Sequence, residues 1–192
     1  MMKENLIRQI ENYPPFSEQE EKDKALILGW ISNNENAFSR ENTVAHITSS
    51  AWVVNKDRSK VLMVYHNIYN SWSWMGGHAD GETDLLSVAI REVKEETGLL
   101  VSHPQMVGLA NWIHPNTGAR WLLFLYRTQS FSGKLLEKTH EGRVFWADTA
   151  TFEKGPLSPN MDVFWRIYRD HEFREVLGTW TDEGLAGDFI WD

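Results

Sequence analysis

Three glutamates close together in the sequence have the side chains and the spacing to bind a metal. Glu92, Glu95 and Glu96 stand at positions i, i+3 and i+4, so on a helix their carboxylates lie on one face within a turn of each other. Carboxylates that close repel one another unless something neutralises them. Mg²⁺ would do so, because it prefers carboxylate and carbonyl oxygens and keeps waters that phosphate oxygens can replace. The cluster therefore indicates metal-assisted hydrolysis.

Neighbouring residues fit such a centre. Apolar side chains on the adjoining helix face would fix how the helix packs, and they are Leu86, Ala89, Ile90 and Val93. Arg91 lies four residues before Glu95 and is predicted to pair with it. Gly76 and Gly77 would let the backbone pass close to the metal and offer a carbonyl ligand. Without these neighbours, a helix rich in Glu, Lys and Arg is more often an ordinary solvated face.

The residues around the cluster resemble the Nudix box, G-x5-E-x7-R-E-U-x-E-E-x-G-U, in which U is a bulky aliphatic residue. With Gly77 as the first glycine, the matching residues are Arg91, Glu92, Val93, Glu95, Glu96, Gly98 and Leu99. One position departs, because the first box glutamate falls on Thr83, and Glu82 stands immediately before it. Either Glu82 replaces that glutamate after a small loop shift, or Thr83 caps the helix.

The resemblance implies a metal centre on this helix. Mg²⁺ or Mn²⁺ would be bound by Glu92, Glu95 and Glu96, with the carbonyl of Gly77 as a further ligand. Glu95 and Glu96 would carry catalysis together with Arg91, which would orient a glutamate. A water on the metal would then attack phosphorus.

A further catalytic residue is expected outside the box, since Nudix enzymes often recruit a glutamate from a later loop as base or ligand. Glu141, just before the predicted strand 143–146, is the candidate. A solvated loop residue is the equally weighted alternative.

Residues that could hold the substrate are less distinctive. An aromatic ring could stack on a base and a basic group could bind phosphate, and the candidates are Trp74, Trp112, His114 and Arg120. Each aromatic residue is more often core or pocket rim, because a chain with ten Trp must place its rings somewhere. The expected substrate class is a nucleoside diphosphate linked to another moiety.

The elements that must position these residues follow from periodicity and turn signals. Helices are predicted from the start to Pro14, from Ser17 to about 32, over 83–97 with Gly98 closing it, and over 159–177. Strands are predicted over 46–55, 60–66, 105–114, 120–130 and 143–146. Residues 56–59 would join the first two strands as a hairpin, and 75–77 would form a glycine-rich loop.

Strands on both sides of a central helix predict an α+β fold. The resemblance implies a Nudix-like α/β/α sandwich with a mixed β-sheet, to which N-terminal and C-terminal helices are added. The expected organisation is an N-terminal helical extension over 1–42, a Nudix domain over 43–178 and a C-terminal tail over 179–192.

Composition limits the classes of partner. The 192 residues suit one domain with additions. A net charge of −8 argues against binding a nucleic-acid polymer through its phosphates. The absence of Cys excludes disulfides and thiolate zinc sites. No apolar segment reaches the length of a membrane span, so a cytoplasmic protein without membrane contact is expected, and the resemblance adds a homodimer as an option.

Two alternatives to an enzyme remain at this point. A catalytically silent Nudix-fold sensor could bind a nucleotide and couple it to a partner, although such modules tend to lose box carboxylates. A purely structural domain with an acidic helix would explain neither the glycines nor the match in register.

Overall fold

The computed structural model describes residues 2–159, 161–169, 174–181 and 184–191. Within these ranges the chain forms four α-helices, α1 (Met2–Asn12), α2 (Glu18–Asn33), α3 (Leu85–Thr97) and α4 (Met161–Arg169). Ser17 is the N-cap of α2, as its side chain accepts a hydrogen bond from the backbone N–H of Glu20 at 3.0 Å. A single 3₁₀ turn covers Phe152–Lys154.

The same ranges contain eleven strands. The first six are β1 (Ala45–Val53), β2 (Lys60–His66), β3 (Ser71–Ser73), β4 (Met75–His78), β5 (Leu100–Ser102) and β6 (Gln105–Ile113). The others are β7 (Arg120–Thr128), β8 (Ser130–Ser132), β9 (Gly142–Asp148), β10 (Glu175–Thr181) and β11 (Gly184–Trp191).

The main sheet is mixed, as predicted. Its strand order is β11-β10-β6-β7-β1-β4. The pairs β1–β7 and β6–β10 are parallel, and the other pairs are antiparallel. A second sheet has the order β3-β2-β9, and β5 pairs with β8. The α+β class is therefore confirmed.

Both faces of the main sheet are covered by helices. On one face, α1 and α2 pack on β1 and β7 through a cluster that includes Ile27, Ile31, Ile47 and Phe124. On the other face, α4 packs against Trp52 of β1, whose ring stacks on Tyr168 at 4.5 Å. Burial of these large apolar side chains gives the layered arrangement its stability.

Helix α3 lies between the two sheets. Its Ala89 and Val93 are fully buried in a cluster with Val53 of β1 and Leu62 of β2. Helix α3 thus has one buried face, which leaves a neighbouring face to carry the glutamates.

The predicted hairpin of the first two strands is limited to the turn at 56–59, because the two strands enter different sheets. Strand β1 pairs with β7 and β4, whereas β2 pairs with β3 and β9 in the other sheet. Only the bridge between Val54 and Val61 joins them at the turn. A short turn brings two strand ends together, but long-range pairing decides which sheet each strand enters.

The predicted last helix is too long. It ends at Arg169, residues 170–173 lie outside the described residues, and 175–177 belong to β10. The C-terminal tail, for which no helix or strand was predicted, continues β10 and forms β11, apart from residues 182, 183 and 192, which are also outside the description. The glycine-rich loop 75–77 is part of strand β4. Strands β3, β5 and β8 were not predicted as separate elements, since three residues are too few to show a period.

In the described ranges, no helix combines the length and the apolar composition needed to cross a bilayer.

Candidate active site

Helix α3 starts two residues later than predicted. Its N-cap is Asp84, whose carboxylate accepts the backbone N–H of Ser87 at 3.1 Å. Thr83 therefore does not cap the helix. The Glu82 carboxylate accepts the backbone N–H groups of Thr83 and Asp84 at 3.0 and 3.1 Å, so it stabilises the approach to the helix. The predicted end is confirmed, as Gly98 is the C-cap with a left-handed φ of 77°.

The start of α3 is also held from the sheet. The fully buried hydroxyl of Ser49 in β1 donates to the carbonyl of Leu85 at 2.6 Å. Together with the packing of Val88, Ala89 and Val93, this bond fixes both the position and the rotation of the helix. The glutamate face is thereby directed towards β4.

Glu96 is the most buried of the box glutamates, at 8% exposure. Its carboxylate accepts the backbone N–H of Gly76 in β4 at 3.0 Å. The pKa of Glu96 is raised to about 8, mainly by burial, with smaller contributions from the charges of Glu92, Glu141 and Glu95 and against the lowering effect of the Gly76 N–H. Four carboxylates are thus within electrostatic reach of one another.

Glu92 lies directly against β4. A Cβ atom at Gly77 would come within 2.5 Å of the Glu92 carboxylate oxygen Oε2, so only glycine permits this approach. Arg91 Nη2 donates to Glu92 Oε1 at 2.9 Å. The predicted pair of Arg91 with Glu95 is therefore replaced by a pair with Glu92, and Glu95 is exposed.

Glu141 reaches the cluster from the loop before β9. Its carboxylate oxygen Oε2 lies 2.7 Å from His66 Nε2, and Oε1 lies 3.0 Å from His140 Nε2. Its carbonyl accepts the backbone N–H of Asn67 at 2.9 Å. The sequence did not indicate His66, because His66 and Glu141 are far apart in the chain. Only the pairing of β2 with β9 brings them together.

An arginine from the N-terminal region borders the same face. Arg40 makes a two-point contact with Asp80, in which Nε lies 2.6 Å from Oδ1. The hydrogen bond and the charge of Asp80 raise the pKa of Arg40, and the charge of Glu92 makes a smaller contribution in the same direction. This places a cation near the glutamates, on a loop that lies before β1.

The residues fit a divalent cation by chemistry and by shape. Burial, and to a lesser extent the neighbouring carboxylates, raise the pKa of Glu96, and a bound cation would favour its charged form. Because residue 77 has no side chain, the Glu92 carboxylate can lie directly against the backbone of β4. Within the part of the chain that the structure describes, no three His, Asp or Glu side chains already stand as a ready ligand set.

The four predicted substrate residues do not form one group. Trp112 is fully buried and packs against Phe164, with ring centroids 5.5 Å apart. Trp74 contacts the same phenylalanine ring at 4.7 Å and is half-buried. His114 is also half-buried and packs edge-on against Trp180 at 4.7 Å.

Arg120, the fourth, takes part in an anchor between the sheet and α2. Its Nη1 donates to Asn111 Oδ1 at 3.0 Å, and the Asn111 amide donates to Asp23 Oδ1 at 3.0 Å. Asp23 also accepts a hydrogen bond from Gln19 at 2.8 Å. These contacts hold Arg120 towards the N-terminal helices.

A cavity of about 520 Å³ lies between α1, α2 and the strands β6 and β7. Leu6, Ile27, Phe124 and Tyr126 contribute to its apolar lining, and the four clustered glutamates do not line it. The carboxylate cluster is the stronger candidate for chemistry, because volume alone supplies no reactive group.

A family model for the NUDIX domain matches residues 45–166. The chain belongs to the Nudix family. The prediction from the box is therefore confirmed, and the matched region contains α3, β4 and Glu141.

A curated relative is described as an uncharacterised Nudix hydrolase, YvcI, of Bacillus subtilis (strain 168). It is 26% identical over 103 residues, which cover 52% of this chain and 65% of the relative. The match thus spans less than two thirds of that protein's length.

Solved structures share the fold. The mutator MutT protein from Bacillus halodurans superposes with a TM-score of 0.65 at 22% identity, covering 77% of this chain and 97% of that one. A NUDIX hydrolase from Nitrosomonas europaea gives 0.54 at 20% identity, covering 65% and 88%. The sandwich predicted from the box is thereby confirmed.

Proposed function

We propose that the protein is a metal-dependent hydrolase that cleaves a diphosphate linkage in a nucleoside diphosphate joined to another moiety. The observation that supports this most directly is the placement of Glu96, a buried carboxylate surrounded by Glu92, Glu95 and Glu141. Packing alone does not explain this group of carboxylates. Like charges this close repel one another and lower stability unless a cation binds between them.

Mg²⁺ or Mn²⁺ would be held by Glu92, Glu95 and Glu96, with the carbonyl of Gly77 available as a further ligand. When bound, such a cation lowers the pKa of a coordinated water and offsets charge on phosphate oxygens. The Gly76 N–H keeps Glu96 in position from the sheet.

Arg91 restrains Glu92 through the 2.9 Å contact with its Oε1. Glu141 is proposed as the general base, which accepts a proton from the attacking water. As the oxygen of that water bonds to phosphorus, the bond from phosphorus to the bridging oxygen breaks and the second phosphate product leaves. Both products then carry a terminal phosphate.

Two of the four predicted residues remain candidates for substrate contact. Trp74 and His114 are half-buried and could present a ring to a base, whereas the burial of Trp112 and the contacts of Arg120 with Asn111 favour roles in packing and anchoring. The substrate is expected to be a small molecule in the cytoplasm. A homodimer, which the family resemblance raises, is testable by light scattering on the purified chain.

The test is an activity panel. Purified protein is incubated with ADP-ribose, nucleotide sugars, dinucleoside polyphosphates, deoxynucleoside triphosphates and NADH, first with Mg²⁺ and then with Mn²⁺, and the products are separated by chromatography. Metal-dependent cleavage of one class is expected, with two phosphorylated products per turnover.

Two variants sharpen the panel. Glu96→Gln removes a charge from the cluster, and Glu21→Gln makes the same chemical change at an exposed position of α2. Activity is expected to be lost in the first and kept in the second. Tight nucleotide binding without turnover under either metal would instead favour the sensor alternative.

A further inference from the structure

We propose that His66 is a positioning residue that holds Glu141 in the orientation needed for proton transfer. The inference rests on the proposed function and assigns a role to a residue outside the Nudix box. Four features of the structure carry it: the contact between the two side chains, the proton arrangement on the imidazole, the support of the ring, and the route by which the loop reaches β2.

The contact is short and partly shielded from water. His66 Nε2 lies 2.7 Å from Glu141 Oε2, and the two side chains are 18% and 28% exposed. A hydrogen bond to a carboxylate in such surroundings is stronger than one at the open surface. It fixes one carboxylate oxygen and leaves the other, Oε1, to accept a proton.

The proton arrangement follows from the other ring nitrogen. The backbone N–H of Ile68 donates to His66 Nδ1 at 3.3 Å. Because Nδ1 accepts, the neutral ring carries its proton on Nε2, the nitrogen that faces Glu141. His66 is therefore set up as a donor to the carboxylate without any change of charge.

The ring of His66 contacts a neighbouring aromatic ring, and its backbone is held in the sheet. Tyr69 packs against His66 with ring centroids 4.6 Å apart. His66 is also the last residue of β2, where it pairs with Gly142 at the start of β9. The β2–β9 pairing thus restrains the backbone of His66, and its side chain is only 18% exposed.

The loop that carries Glu141 is fastened to the same place. Asn67 donates its N–H to the Glu141 carbonyl at 2.9 Å. A Cβ atom at Gly142 would lie 1.8 Å from the Tyr65 carbonyl oxygen, so glycine is required for the loop to come this close. Backbone and side chain together place Glu141 beside the end of β2.

His140 provides a natural comparison. Its Nε2 lies 3.0 Å from Glu141 Oε1, but its side chain is 76% exposed. Ordering a mobile surface side chain gains little, so water or substrate can displace His140 from Oε1. The structure thus has one restrained and one loosely held imidazole on the same carboxylate.

The test uses two substitutions that separate the hydrogen bond from the packing. His66→Phe keeps a ring against Tyr69 but has no donor, whereas His66→Gln keeps an N–H donor near the position of Nε2 but has no ring. We expect kcat to fall about 10- to 100-fold in His66→Phe, as for other partners that orient a catalytic group, and by only a few-fold in His66→Gln, with KM nearly unchanged in both. His140→Gln should lower kcat by no more than a few-fold.

A double-mutant cycle tests whether His66 acts through Glu141. In a Glu141→Gln background, His66→Phe should cause little further loss. An equal loss in both backgrounds, or full activity of His66→Phe beside loss in His66→Gln, would overturn the inference and show a packing role. Full activity of Glu141→Gln would overturn it too, while leaving the hydrolase standing.

A second measurement does not depend on turnover. Long-range ¹H–¹⁵N spectra of the imidazoles, with His66 assigned by comparison with His66→Phe, should show the neutral form protonated at Nε2. A proton on Nδ1 would contradict the proposal. Absence of turnover by the wild-type protein across the panel would count against the proposed function itself, and is distinguishable from the outcomes above.

Discussion

The molecule buries two acidic side chains in opposite ways. Asp23 of α2 is 4% exposed and accepts hydrogen bonds from Gln19 and Asn111, with the guanidinium of Arg120 at 4.0 Å. Glu96 of α3 is 8% exposed, accepts one backbone N–H, and has other carboxylates around it. The first site is balanced within the chain, and the second is not.

This difference separates stability from function. A buried charge with a full set of partners anchors one element to another, and here it ties α2 to β6 and β7. A buried charge without a balancing partner costs stability and is kept for what it can bind. The carboxylate cluster is therefore expected to respond to metal and pH, and the Asp23 anchor to respond mainly to substitution.

The largest expected effect is on activity. Glu96→Gln should lower kcat/KM by on the order of 10³-fold, because it removes a ligand charge from the reacting centre. Asp23→Asn should leave kcat/KM within a few-fold of wild type. Steady-state assays of both variants measure this. Comparable losses of kcat/KM in the two variants would contradict the proposed difference between the Glu96 and Asp23 sites.

The next effect is on stability against pH in the absence of divalent metal. The pKa of Glu96 is raised from 4.5 to about 8 in the folded protein. Its protonated form is favoured by folding, so this contribution to the free energy of unfolding is full below about pH 4.5 and is lost as the pH rises through about 8.

We expect a loss on the order of 4 to 5 kcal/mol across that window for wild type, compared with Glu96→Gln. Urea unfolding in EDTA at pH 5, 7 and 9 provides the measurement. If the free energies of unfolding of the two proteins change with pH in the same way, the pKa of Glu96 is not raised by its surroundings as described.

Metal should reverse that loss. A ligand that binds only the folded state at 100 times its Kd adds about 2.7 kcal/mol, which for a chain of this size raises Tm by about 5 to 10 °C. Thermal unfolding of EDTA-treated protein with and without Mg²⁺ measures the shift. Glu96→Gln should show much less of it, whereas Asp23→Asn should show all of it.

The smallest effect concerns the anchor. Asp23→Ala leaves the buried Asn111 amide without its acceptor and should destabilise the fold by about 1 to 3 kcal/mol, with a normal response to Mg²⁺. Glu21→Ala, an exposed change on the same helix, is the control. No loss of stability in Asp23→Ala would show that the network is replaceable by water.

Much of the site could be predicted because it is local. Glu92, Glu95 and Glu96 share a face through helical periodicity alone, and Gly98 ends the helix as expected. The departure at Thr83 was visible in the sequence, but only the structure shows that Asp84 caps the helix through the Ser87 N–H while Glu82 accepts the N–H groups of Thr83 and Asp84. The extension boundary at 42 and 43 stays a prediction.

What could not be predicted depends on contacts between distant residues. His66 and Glu141 meet only because β2 pairs with β9. Residues 175–177, the first part of β10, were predicted as helix, because the parallel partner strand β6 lies far earlier in the chain and local spacing does not reveal the pairing. Arg91 pairs with Glu92 and not with Glu95, which helical periodicity does not predict.

The parallel pairing of β1 with β7 also has a consequence during synthesis on the ribosome. Ala45 lies opposite Arg120, roughly 75 residues later, and at about 5 to 20 residues per second the first strand waits about 4 to 15 seconds for its partner. Until then the apolar surface of β1 and the inner face of α3 stay open to chaperones. Synonymous codon changes that slow the synthesis of β7 should lower the yield of folded protein in cells without altering the purified product.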